Sequence, residues 1–179
     1  MNITEKHLEF VENFHKYIIL INFMYHKEIE AKYILLGTVH TGKSSFIHRV
    51  QYGSYPISNQ TTIGIDYASL NKYKSHDDLE IKYRLNFWDA GGHISYMNVI
   101  RSFYRRVTGA LIFFDVNSLD SFKLAIDYYN DFKKFDDTNK QFYFIGNKID
   151  KEKRAVYEDQ VLDFIDDKNI KYYECSVLL

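Results

Sequence analysis

The chain has 179 residues, a length that fits one domain, and 46% of them are hydrophobic, which suffices for a core and excludes a disordered chain. A formal net charge of −1 gives no general pull toward nucleic acid or an anionic membrane surface, and the single cysteine, Cys175, excludes an internal disulfide and fits a reducing compartment. The longest strongly apolar run, residues 17–25, is far shorter than the roughly 20 residues a spanning helix needs, and no small-residue cleavage site follows it, so neither a transmembrane segment nor a secretory signal is expected.

Leu8, Val11, Phe14, Ile18, Ile21 and Tyr25 recur at helical spacing, which predicts a helix over 4–26 with one apolar face. Residues 1–29 therefore read as an N-terminal helical extension ahead of a domain over 30–179. Residues 31–36 form a short apolar run, expected as a buried strand, ending at Gly37. A helix is predicted over 43–52 and a polar loop over 53–64. Residues 65–74 and 79–88 read as strands joined by a turn at 75–78. Further strands are expected at 110–116, 142–145 and from 171 to 174, with helices near 119–135 and 152–167 between them. Strands alternating with helices imply crossover connections and an α/β fold with a mostly parallel sheet.

Gly37-Thr38-Val39-His40-Thr41-Gly42-Lys43-Ser44 fits the pattern G-x-x-x-x-G-K-[ST], between an apolar strand and a helix. A polyphosphate needs several backbone N–H groups converging on it, so the loop must curl tightly, and glycine permits the required backbone angles and close approach. Lys43 would neutralise the β- and γ-phosphates, the Ser44 hydroxyl would ligate magnesium, and the helix that follows with Ser45 would point its positive end at the phosphates. Asn147-Lys148-Ile149-Asp150 follows another apolar run, about a hundred residues later. This segment resembles the N-K-x-D motif of guanine-nucleotide-binding proteins. Asp150 can accept hydrogen bonds from guanine N1–H and its 2-amino group; adenine offers neither, and sites of this kind reject the wrong partner by roughly 10⁴–10⁵. Asn147 would tie the base-binding loop together, and the stem of Lys148 would cover one face of the base. Glu174-Cys175-Ser176-Val177 resembles the E-T-S-A segment whose backbone N–H groups, here at Ser176 and Val177, hold the guanine oxygen. Cys175 itself reads as an inert, half-buried residue.

With these anchors the chain from about residue 30 resembles a small GTPase of the Ras superfamily, and its Rab branch in particular. The resemblance implies a P-loop NTPase (small G-protein) fold: about six strands, mostly parallel with one antiparallel edge strand, flanked by helices. Thr62-Ile63-Gly64-Ile65-Asp66-Tyr67 resembles the Rab segment T-I-G-V-D-F, with Thr62 lying 18 residues after Ser44. This implies that Thr62 completes the magnesium shell and that Tyr55 sets an aromatic edge against guanine. Trp88-Asp89-Ala90-Gly91-Gly92 resembles W-D-T-A-G, which implies that Asp89 holds magnesium through a water and that the Gly92 N–H senses the γ-phosphate. Ser102-Phe103-Tyr104-Arg105-Arg106 resembles S-Y-Y-R-G. Such a pair of loops is a two-state device, ordered by the γ-phosphate and released on hydrolysis. The catalytic candidates are Lys43, Thr62 and His93.

The departures bear on mechanism. His93 replaces the family's water-orienting glutamine, and Ile94 the glutamate after it. Val39 stands where relatives carry glycine or serine, crowding the path of a partner's arginine that is worth about 10³–10⁵ in rate. Leu178 replaces a lysine. Slow hydrolysis is expected. At Leu179 the family's last helix and prenylatable tail would follow; no C-a-a-X or terminal double cysteine is present. Either the chain is truncated there or it is not lipid-anchored in the usual way. The N-terminal helix either covers the sheet face that the last helix would cover, or precedes a natural start at Met24. A membrane-surface role for it is less favoured, because its polar face carries both signs of charge.

The resemblance implies GTP/GDP and Mg²⁺ as ligands, with effectors, an exchange factor and a GTPase-activating protein as partners through the two switches. It also implies work in vesicle or membrane traffic, in the cytoplasm and peripherally on intracellular membranes. A pseudo-GTPase that holds nucleotide as a structural element is the alternative. An ATP-using kinase is disfavoured by Asn147–Asp150.

Overall fold

In the computed structural model the described residues are 28–56, 60–76, 79–136 and 138–179. The predicted helix over 4–26 and part of the turn at 75–78 lie outside them. Strand β1 (Glu28–Leu36) begins three residues before its apolar run, because Ile29 and Ala31 are buried while Glu28 and Glu30 alternate outward. Glu28 is held there by Arg84 at 2.8 Å. Helix α1 (Lys43–Tyr52) stops at Gly53, whose N–H reaches back to the Arg49 carbonyl at 2.8 Å. Strands β2 (Ile65–His76) and β3 (Leu79–Ala90) form the antiparallel pair, each extending two residues past its predicted end. Strands β4 (Gly109–Asp115), β5 (Gln141–Asn147) and β6 (Ile170–Cys175) complete a six-stranded sheet in the order β2-β3-β1-β4-β5-β6, parallel everywhere except β2–β3.

Spacing alone does not assign a helix at α2 (Met97–Tyr104), which follows a short 3₁₀ turn at Ile94–Tyr96. Helix α3 (Leu119–Phe135) matches its predicted bounds: Ser118 caps it by accepting the Ser121 N–H at 3.3 Å, and Phe122, Ala125, Tyr128 and Phe132 form its buried stripe. Helix α4 (Glu158–Ile165) is shorter than the predicted 152–167. Residues 155 and 156 instead donate their N–H groups to the Val116 carbonyl, both at 2.9 Å, and Gln160 Oε1 accepts the Tyr157 N–H at 2.8 Å at the true helix start.

Central β4 is buried on both faces, as parallel strands between helices are. Ala110, Ile112 and Phe114 join the core under α2, α3 and α4, while Leu111 and Phe113 join the core under α1. Helices α2 and α3 are clasped by Arg101, whose Nη2 donates to Asp131 Oδ1 at 2.7 Å, and by Tyr104 stacked on Phe132 with centroids 4.2 Å apart. No helix among the described residues is long and apolar enough to cross a membrane.

Candidate functional site

The parallel strands all deliver their carboxyl ends to one edge of the sheet, where ligand crevices of such folds form. Between β1 and α1 the chain reverses over residues 37–42. Gly42 carries φ 97, a left-handed angle, and a Cβ there would sit 2.2 Å from Asn147 Nδ2, so both the angle and the space demand glycine. His40 is also left-handed, at φ 63, without being glycine. The Lys43 side chain folds over the loop and donates to the carbonyls of Gly37 at 2.8 Å and Thr38 at 2.9 Å. Thr41 Oγ1 donates to the same Thr38 carbonyl at 2.9 Å. Lys43 is 6% exposed. Burial lowers its ammonium pKa to about 8, against the opposing pull of Asp89.

Beside Lys43, three oxygen-bearing side chains converge from three separate segments. Ser44 Oγ lies 2.8 Å from Thr62 Oγ1, and both hydroxyls donate to Asp89 Oδ2, Thr62 at 3.3 Å. Asp89 Oδ1 is buried without a hydrogen-bond partner. Burial pushes the Asp89 carboxyl above its usual range, although Ser44, Lys43 and Thr62 pull it down. Two hydroxyls and a carboxylate with an unpartnered buried oxygen are the hard donors that magnesium takes, so this cluster fits that ion.

At the other end, Asn147 joins two loops that lie far apart in sequence. Its Nδ2 donates to the Thr41 carbonyl at 2.8 Å, while its Oδ1 accepts the N–H groups of Lys148 at 2.8 Å and Val177 at 3.2 Å. Lys148 pairs with Asp115 at 2.8 Å. Arg154 reaches from the segment after Asp150 to Glu174, its Nη1 donating to Oε2 at 3.0 Å, and so fixes that segment to β6.

A cavity of about 460 Å³ runs between these two ends. It brings together Val39, His40, Gly42, Lys43, Ser44, Ser45, Tyr55, Thr62, Gly92, Asn147, Lys148, Asp150 and Val177 of the residues expected from sequence. Gly37, Thr38, Thr41, Asp89 and Ser176 stand behind the lining; Gly37 and Thr38 act through carbonyls that hold Lys43. Gly92 presses on the first loop: a Cβ there would meet the Val39 nitrogen at 2.3 Å and the Thr38 carbonyl carbon at 2.4 Å. His93 does not line the cavity. Its Nδ1 lies 2.8 Å from Ser95 Oγ and accepts the Ser95 N–H at 3.3 Å, so the ring turns into its own loop. The lining also includes His48, Pro56, Gln60, Thr61 and Lys151, which no motif picks out, and Leu178, singled out in the sequence only as a replacement for lysine. His48 lies one helical turn past Ser44 and could have been found on that ground; Gln60, Thr61, Lys151 and Leu178 are near neighbours of named residues.

Comparison with known proteins agrees with this geometry. A model of the Ras family matches residues 32–179. Among curated proteins, the chain is 31% identical over 153 residues to Ras-related protein Rab-7b of Bos taurus, covering 84% of this chain and 74% of that one. It is 30% identical over 146 residues to Ras-related protein Rab-3D of Homo sapiens (81% and 65% covered), and 29% identical over 154 residues to Ras-related protein Rab-32D of Dictyostelium discoideum (82% and 66%). Fold, cavity and relatives converge: the chain belongs to the Ras family, as a Rab-type small GTPase.

Proposed function

We propose that this protein is a GTP/GDP switch serving vesicle or membrane traffic, with slow intrinsic hydrolysis. The observation that carries the binding reading is the joining of the two loops through Asn147, which sets the curled phosphate loop and Asp150 at opposite ends of one cavity. In this reading the N–H groups of residues 38–45 and the Lys43 ammonium bind the polyphosphate. Ser44, Thr62 and Asp89 would hold magnesium, whose charge would offset that of the phosphate oxygens. Asp150 reads the guanine edge, Lys148 and Tyr55 flank the base, and the backbone at Ser176 and Val177 meets the guanine oxygen. Gly92 couples the second switch to the phosphate loop through its contact with Val39 and Thr38. Effectors and regulators meet the protein at the switches. Residues 30–179, with Glu28 and Ile29 that open β1, are the GTPase unit, and the residues before them an extension of it.

Slow hydrolysis follows from two residues. His93 turns Nδ1 onto Ser95, so only Nε2 is left to face an attacking water. One ring nitrogen either donates or accepts, and so cannot do both toward the attacking water as glutamine does. Val39, 38% exposed at the cavity, narrows the entry for an activator's arginine. Single-turnover GTP hydrolysis tests this: His93→Gln is expected to turn over at least about tenfold faster than the native chain. Equal rates, at a level typical of Rab proteins, would refute it. The turned-in His93 also favours the second reading, a pseudo-GTPase; its mark is tight GDP binding with no turnover in the native chain.

A further inference from the structure

Lys148 is, with His40, one of two described non-glycine residues at positive φ, here 67. A lysine has no intrinsic preference for that angle, so the surroundings must impose it. Three bonds do. Its N–H donates to Asn147 Oδ1 at 2.8 Å, its carbonyl accepts Asn117 Nδ2 at 2.9 Å, and its ammonium lies 2.8 Å from Asp115 Oδ2. Asn147 belongs to the base-binding motif, but Asp115 and Asn117 lie at and just beyond the end of β4 and fall outside every motif described above.

These two residues form one unit. Asp115 Oδ1 accepts both the backbone N–H of Asn117 at 2.9 Å and its Nδ2 at 2.8 Å. The amide thus divides its two hydrogens between Asp115 and the Lys148 carbonyl. Its oxygen is buried with no partner. Turned over, the amide would set that oxygen against two acceptors, so the observed orientation is the one the surroundings enforce. One carboxylate oxygen of Asp115 therefore fixes Asn117, and the other fixes the lysine head. Burial pushes the Asp115 carboxyl up, but Lys148 and Asn117 hold it below the usual carboxylate range, so it stays charged at neutral pH.

We propose that Asp115 and Asn117 are positioning residues for guanine, acting through Lys148. The clamp fixes both ends of the lysine, backbone and ammonium, so that its four-carbon stem is ordered along the cavity wall it shares with Asp150. A stem already ordered loses little freedom when a flat purine face settles on it; an unclamped lysine would lose it on binding. The inference rests on the guanine reading of this cavity.

The test is a double-mutant cycle on release of a fluorescent GDP from the full chain with magnesium. Asp115→Asn keeps the shape and removes the charge; it is expected to speed release about tenfold, the worth of one charge-assisted bond. Lys148→Met keeps the stem and removes the head. If Asp115 acts through that head, D115N changes release by less than about twofold in the Lys148→Met background. Additive effects, or unchanged release from D115N alone, would overturn the proposal. Asp115→Ser runs through the same cycle if the Asn variant does not fold. Failure of the native chain to retain GDP would instead overturn the guanine reading, and this inference with it.

Discussion

Replacing Asn147 by alanine tests how the two ends of the site are joined. Asn147 is 1% exposed. Truncation removes the donor to the Thr41 carbonyl and the acceptor for the Lys148 and Val177 N–H groups. Each buried group left unsatisfied costs about 1–3 kcal/mol. Water entering from the cavity beside Asn147 satisfies part of this, so about 3 kcal/mol in all is the expected loss. For a domain of this size that lowers the melting temperature of the nucleotide-free protein by about 6–12 °C. The assay is thermal melting by circular dichroism, without and with GDP. Alanine also uncouples the phosphate loop from the base-reading loop, so the rise in melting temperature on adding GDP should shrink. Asn147→Asp separates the roles: it keeps an acceptor for the two N–H groups but sets a carboxylate against the Thr41 carbonyl. A melting temperature within about 2 °C of the native chain, with an unchanged GDP shift, would refute the reasoning.

Other parts of the molecule support four further tests. Gly92→Ala sets a methyl group 2.3 Å from the Val39 nitrogen, and rigid backbone cannot yield; single-turnover GTP hydrolysis should fall at least about tenfold while GDP titration changes little, and native-like turnover would count against the coupling of Gly92 to the phosphate loop. Burial pushes the Cys175 thiol up to about 12, so native protein should resist alkylation by iodoacetamide at pH 8 while urea-unfolded protein reacts. Its folded pKa lies above its unfolded one, so its contribution to stability is complete below the unfolded value and is lost as pH rises toward about 12; Tyr33 and Tyr104, also raised by burial, act in the same direction. Alkaline denaturation midpoints measure this, and stability increasing above pH 10 would contradict it. Finally, in the core on the α1 side, which includes Tyr33, Leu111 and Tyr143, α1 is the one contributing helix among the described residues. If the apolar stripe at 4–26 covers that face, deleting residues 1–23 should lower the melting temperature by more than about 5 °C and increase binding of an apolar dye; an unchanged melting temperature would refute the covering role.

What was legible in the sequence is what chemistry pins to a residue type at a fixed spacing. Gly42, Lys43 and Ser44 are each picked out by one demand of a phosphate loop, and in the structure they line one cavity with Asn147 and Asp150. Helices Lys43–Tyr52 and Leu119–Phe135 were legible to the residue, one stopped by Gly53 and the other started by Ser118. Strand β1 began earlier than its apolar run because a half-buried strand end alternates with charge. The start of α4 was not legible: residues 152–157 carry helix-forming residues, yet two of their N–H groups go to Val116, a tertiary partner that no local pattern reveals. The same holds for the Asp115–Asn117–Lys148 unit, which exists because β4 and β5 lie side by side with Asp115 paired to Asn147. His93 was named for its place in a motif, and the direction of its ring is set by Ser95, two residues on.

Every functional proposal above requires that this cavity hold a guanine nucleotide. Equilibrium titration of GDP, GTP and ATP against one magnesium-containing sample tests it most directly. Tight binding of GDP and GTP is expected, with ATP weaker by roughly 10⁴ or more, because adenine would leave the Asp150 carboxylate unpaired. Comparable affinity for ATP, or no guanine-nucleotide binding by folded protein, would contradict it.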